Sequence, residues 1–184
     1  MLGSPHTNKG APNMDRNTKG QKAQQKTIAT YSARPDLAQD TSSGTASIGE
    51  GLTCTYRQGD DELVMDMGEA LGGDGTAPTP GLFARASIAG CVAIGIKMTA
   101  MRDGVTLKGV HVDLEQDFDS RGLMGFNDIP ATPLDTRLNI RIDSDEPLEK
   151  IEATINRALT CDPWFLSFRD AQNVSTRIEV SVSA

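Results

Sequence analysis

The chain has 184 residues, 38% of them apolar, and a formal net charge of −7, which suits one ordinary domain with a tail to spare. Residues 1–47 carry six Lys/Arg and three Asp/Glu, whereas residues 48–184 carry twelve and twenty-two, so a basic extension of net +3 precedes an acidic body of net −10. An acidic body repels phosphate backbones, which argues against nucleic acid as the main partner. The three widely spaced cysteines form no C-x-x-C pair, and with only His6 and His111 beside them they exclude zinc sites of the usual spacing and a disulfide-stapled secreted scaffold.

Residues 1–30 are rich in Asn, Gln, Lys, Thr and Gly and lack apolar periodicity, so a largely disordered extension is expected over 1–47, its last part a Ser/Thr/Ala/Gly linker. Met1 is not followed by a basic region and an apolar run, and the expected compartment is the cytoplasm. The ordered domain is expected over 48–184. Leu52, Cys54 and Tyr56 alternate with Thr53, Thr55 and Arg57 as a strand, Gln58 to Asp61 supply a turn, and Leu63, Met65 and Met67 complete a hairpin. On this face Cys54 reads as a small buried hydrophobe.

The run from Gly72 to Pro80 is a loop feeding a helix, with Thr79 placed to cap it and Pro80 in its first turn. The helix extends to about Arg102, before Asp103-Gly104. Pro80 to Met101 is long enough to span a bilayer. Arg85 and Lys97 argue against that, at a cost of roughly 2.5–3.5 kcal/mol each deep in the bilayer. Its many Ala and Gly instead suit a slim central helix that other elements approach closely.

A long strand follows, with Val110, Val112 and Leu114 on one face and His111, Asp113, Glu115 and Asp117 on the other. A second strand over Thr136–Asp143 turns Leu138, Ile140 and Ile142 inward and Arg137, Asn139 and Arg141 outward. Acidic and basic outer faces predict an antiparallel pair with cross-strand ion pairs. Glu146 to Thr160 carries apolar residues at helical spacing and is ended by Cys161-Asp162-Pro163, beyond which Trp164, Phe165 and Phe168 cluster. Ile178, Val180 and Val182 alternate with Arg177, Glu179 and Ser181 in a closing strand. The order ββ-α-ββ-α-β defines an α+β fold.

Chemistry is narrowed by what is missing. Neither histidine suits a Ser-His-Asp mechanism: His6 lies in the extension and His111 on a charged strand face. The Gly72–Gly75 loop lacks the Lys-Ser/Thr of a P-loop, and Asp113 to Asp119 fails the EF-hand spacing. What remains is the thiol of Cys91, mid-helix after Gly90, for which spacing alone leaves a buried, inert thiol as the alternative. A reactive cysteine needs a nearby cation or donor. The neighbours at three and four residues are Ser87, Ile88, Ile94 and Gly95, none of them cationic, so any activating charge has to come from elsewhere in the fold.

The run Leu71-Gly72-Gly73-Asp74-Gly75-Thr76-Ala77-Pro78-Thr79-Pro80, leading into Ala89-Gly90-Cys91-Val92-Ala93-Ile94, resembles the OsmC/Ohr family of osmotically inducible and organic-hydroperoxide-resistance proteins. The likeness spans roughly residues 50–183. It implies an intertwined homodimer, with sheets wrapped around two central helices, and a thiol-dependent peroxidase without cofactor or metal. In that chemistry Cys91 attacks an organic hydroperoxide and becomes a sulfenic acid, Cys161 resolves it as a disulfide, and a dithiol reductant reopens the bond. Arg57 is the best candidate for the thiolate-stabilising cation and Arg34 the alternative, with a surface role open to either. Two positions depart from the family pattern. Gly81 stands where the hydroperoxide reductases carry a Glu ten residues before the cysteine, and the second cysteine is separated from its Pro by Asp162. These departures motivate a second reading: a non-catalytic, redox-responsive or ligand-binding dimer with an apolar pocket near Trp164, Phe165 and Phe168.

Overall fold

A computed structural model describes residues 13–180 of the chain. Residues 1–12, with His6, and 181–184, with Val182, lie outside the described residues. In chain order the elements are α1 (Asn13–Ala33), β1 (Thr45–Ile48), β2 (Cys54–Gln58), β3 (Asp61–Met65), α2 (Pro80–Asp103), β4 (Gly109–Asp117), α3 (Ser120–Leu123), β5 (Asp135–Asp143), α4 (Leu148–Leu159) and α5 (Pro163–Arg169). Short 3-10 turns at Pro35–Ala38 and Glu69–Leu71 lead into the sheet and the helix that follow them. The architecture is α+β, with antiparallel sheets and a central helix.

Helix α2 is the axis of the molecule. Pro80 occupies its first turn, and Gly104, left-handed at φ 65°, closes it by donating its N–H to Ala100 O. Thr79 sits at the N-cap position, but its side chain accepts no capping hydrogen bond, contrary to the sequence expectation. The helix is long and apolar enough to cross a membrane by length and composition, and it packs against α1, β4, α4 and α5. Val92, Ile96 and Ala100 meet Val105, Leu107 and Ala158 in the buried core. Val110, Val112, Leu138, Ile140 and Ile142 from the strands, and Ile151, Ile155 and Leu159 from α4, close over that core.

Strands β4 and β5 pair antiparallel, with His111 opposite Arg141 and Glu115 opposite Arg137. The expected charge pairing is present. Arg137 bridges Glu115, Asp117 and Asp135 at 2.6–3.1 Å, and Arg141 pairs with Asp113. The hairpin β2–β3 also forms as read, turning through Gly59 at φ 58°. It gains a strand the sequence reading assigned to the linker: Thr45–Ile48 pairs with Cys54–Arg57. Cys54 opens the central strand of this three-stranded sheet and is half-buried rather than buried.

A carboxylate fastens this sheet to the loop before α2. Asp66, 1% exposed, accepts hydrogen bonds from Met67 N and from both Thr76 N and Thr76 Oγ1, at 2.7–3.0 Å, while its own N–H donates to Pro78 O. Gly73 passes so close that a Cβ there would lie 2.0 Å from Met67 O.

Two expectations are corrected. Disorder was expected over residues 1–30, but Asn13–Ala33 is a helix seated on the C-terminal half of α2. Its contact face is small and polar rather than apolar: Gly20 abuts Met101, and Gln24 reaches both Met101 Sδ at 4.0 Å and Arg102 Nη1 at 3.3 Å. The closing strand is also absent among the described residues. Positions 171–180 are exposed and have no regular structure, because no strand of the described chain pairs with them.

Candidate functional site

Cys91 lies on α2 in a cleft of about 260 Å³. Ile94, Gly95, Met98, Thr99 and Arg102 form one wall, and Ala158, Cys161, Asp162 and Pro163 at the α4–α5 junction form the other. Helical periodicity builds the first wall, since positions 91, 95, 98 and 102 recur every three or four residues. A sharp turn builds the second. Helix α4 ends at Leu159, and Asp162 then caps α5 by accepting the Phe165 N–H on Oδ1 at 2.8 Å, with Pro163 next in line.

The structure thus brings together two of the residues singled out by sequence, Cys91 and Cys161, as free thiols on facing walls of one cleft. Cys161 is the more exposed, its thiol donating to the carbonyls of Arg157 and Ala158 at 3.4 Å. Arg57 is not brought to them within this chain. It lies on the outer sheet, 70% exposed at the side chain, and pairs with Glu62 across the β2–β3 hairpin. Arg34 is likewise exposed and paired with Asp36 at 2.7 Å.

Two residues of the cleft were not expected from sequence. Asp162 is 3% exposed, and its Oδ2 has no hydrogen-bond partner. That oxygen lies against the α2 backbone one turn beyond Cys91, where a Cβ on Gly95 would come within 2.9 Å of it. The sequence signals were an Asp-Pro pair that fits N-cap and first helical position, and a glycine four residues after the cysteine. The second is Arg102, whose guanidinium donates to Thr99 Oγ1 at 2.8 Å and to Gln24 Oε1 of α1 at 3.3 Å.

The electrostatics do not favour a thiolate in the isolated chain. Burial pushes the Cys91 thiol above its ordinary value, and the neighbouring Asp162 carboxylate adds to that push, while the Trp164 backbone N–H pulls the other way. Among the described residues no group of three His, Cys, Asp or Glu side chains comes together to hold a metal ion. At Gly81, the position of the family Glu, the Arg85 guanidinium lies close over the backbone, and a Cβ there would come within 3.2 Å of its Nη1.

A second cavity, of about 370 Å³, lies behind the α5 wall and is lined by Ile88, Leu138, Ile140, Leu159, Phe165 and Phe168, with Thr136 and Arg169 completing it. The guanidinium of Arg169 stands 5.7 Å over the Phe165 ring. Trp164 is not among the lining side chains and is 52% exposed.

Fold and site together define a class: an α+β protein with a cysteine on its central helix and a second cysteine across a cleft from it. Residues 73–177 match the family described as OsmC-like protein, and the chain belongs to it. No curated protein sequence matches the chain. Solved structures share its fold. An OsmC-like protein from Mycoplasma pneumoniae has a TM-score of 0.59 at 13% identity, over 71% of this chain and 88% of its own. An organic hydroperoxide resistance protein from Elizabethkingia anophelis has a TM-score of 0.56 at 15% identity, over 71% and 89%. An organic hydroperoxide resistance protein, OsmC, from Legionella pneumophila has a TM-score of 0.52 at 21% identity, over 71% and 90%.

Proposed function

We propose that this protein is a thiol-dependent redox protein that reduces organic hydroperoxides through Cys91. The observation that carries the reading is the placement of Cys91 and Cys161 on facing walls of one cleft, within a chain of the OsmC-like family. The Cys91 sulfur attacks the terminal peroxide oxygen and the O–O bond breaks. The alcohol leaves, and Cys91 becomes a sulfenic acid. The Cys161 thiol then displaces hydroxide from that sulfur, releasing water and forming a disulfide, which an external dithiol reduces. Apolar lining from Ile94, Met98 and Pro163 suits an alkyl peroxide better than hydrogen peroxide.

The test is mass spectrometry of the full chain after one equivalent of cumene hydroperoxide. We expect a sulfenic acid on Cys91 or a Cys91–Cys161 disulfide, and trapped sulfenate but no disulfide in Cys161→Ser. Unchanged free thiols would sink the reading.

A homodimer completes this proposal. The sheet β1–β2–β3 leaves Ile48, Leu63 and Val64 between 40% and 57% exposed, and α2 leaves Leu82, Ile94 and Met98 between 41% and 62% exposed. Such apolar surface calls for a covering partner, and a second copy would also bring a cation such as Arg57 to the cleft. Sedimentation velocity at micromolar concentration checks this, with a single species of monomer mass as the contrary result.

A specific observation also favours the second reading, a ligand-binding or redox-responsive dimer: Phe165, which lines the 370 Å³ apolar cavity, donates its N–H to Asp162 of the thiol cleft. Stoichiometric binding of an apolar fluorophore, without turnover of peroxide by the reduced protein, would support it.

A further inference from the structure

We propose that Asp162 restrains Cys91, holding it in the unreactive thiol form in the resting protein. Asp162 is 3% exposed, its Oδ1 is used in capping α5, and its Oδ2 has no hydrogen-bond partner. A buried carboxylate oxygen left without a donor is costly, so its position demands a reason. The absence of a side chain at Gly95 lets it settle on α2, 2.9 Å from where a Cβ would stand. Cys91 is the residue one helical turn before Gly95 and lines the same cleft. A proton on the Cys91 sulfur gives the carboxylate a neutral neighbour; ionising that sulfur places a second negative charge beside it.

Within one chain, and among the described residues, Asp162 is the charged group that acts on Cys91, and no cation is paired with either of them. Arg102, three turns along α2 in the wall of the same cleft, keeps its charge but directs its guanidinium to Thr99 and Gln24. Lys97 donates to Leu107 O. From α4, Arg157 is paired with Asp103 at 2.9 Å, and the Cys161 thiol donates to carbonyl oxygens. From β4, Asp113, Glu115 and Asp117 are tied to the arginines of β5, and His111 lies opposite Arg141. From α5, Arg169 is paired with Asp170 and stands over Phe165.

The proposal rests on Cys91 being the reacting thiol, but its test uses no peroxide and so separates the two ideas. In the full chain, the rate of Cys91 alkylation by iodoacetamide is followed from pH 6 to pH 10 by mass spectrometry of the tryptic peptide ending at Lys97. The comparison is wild type against Asp162→Asn and Asp162→Ser, both of which keep an oxygen to cap α5. We expect the alkylation midpoint to fall by about one pH unit in both variants, giving up to about a tenfold higher rate at pH 7. A midpoint that stays or rises in folded variants overturns the proposal. If either variant melts below the assay temperature, the other decides. A lowered midpoint here, beside unchanged thiols in the separate cumene hydroperoxide experiment, would retain the restraint and remove the peroxidase.

Discussion

At Asp66 and Gly73 single atoms decide local structure. Asp66 gathers three hydrogen bonds from Met67 and Thr76, and the Thr76 backbone N–H, followed by its hydroxyl, holds the carboxyl below its ordinary range. A carboxyl made more acidic by folding stabilises the fold above the unfolded range of about pH 4. That contribution is lost as pH falls through the lower native value. We therefore expect Asp66→Asn to lower the melting temperature at pH 7 and to converge with wild type in strong acid, as scanning calorimetry across pH would record. At Gly73 a methyl group would meet a backbone carbonyl rather than a flexible side chain. Gly73→Ala should cost at least about 2 kcal/mol, measurable by urea denaturation, whereas Gly90→Ala, in a helix interior with nothing within 4 Å, should stabilise by about 0.5–1 kcal/mol.

Among the elements, α2 bears the packing and the β4–β5 pair bears the charge. Ile96 is fully buried at the centre of the core, so Ile96→Ala should destabilise by about 2–5 kcal/mol in the same denaturation assay. On the outer face Arg137 serves three carboxylates while 45% exposed. Arg137→Ala should lower the melting temperature in dilute buffer and lose most of that effect at 1 M salt, because exposed pairs are screened.

The elements read from sequence were those with an apolar rhythm. Val110–Leu114, Leu138–Ile142 and Ile151–Leu159 announce their buried faces, and their observed bounds fall within a few residues of the reading. Helix α1 has no such rhythm, because Gly20 and Gln24 make its contact with α2. The alternation of Ile178 and Val180 was present without a partner to turn it into a strand. At the site, Cys91 and Cys161 were legible as chemistry-bearing types. Asp162 was legible only as an interruption between Cys161 and Pro163; its burial depends on the α4–α5 turn meeting Gly95, which spacing along one chain does not reveal.

Across the whole molecule, the Asp66 hydrogen bonds to Thr76 and Pro78 tie the outer sheet to the loop that enters the helical body. Under the proposed dimer, the backbone amides of Tyr56 and Leu63 should exchange with deuterium slowly in concentrated solution and faster on dilution, while those of α2's buried centre change little. Exchange independent of concentration would speak against a partner covering the sheet.

The cap on α5 has a consequence at this same scale. One oxygen of Asp162 is tied to the Phe165 backbone, the other rests on the cysteine helix, and Phe165 itself walls the apolar cavity. A movement of that turn would therefore reach the cysteine helix and the cavity wall together, through one carboxylate.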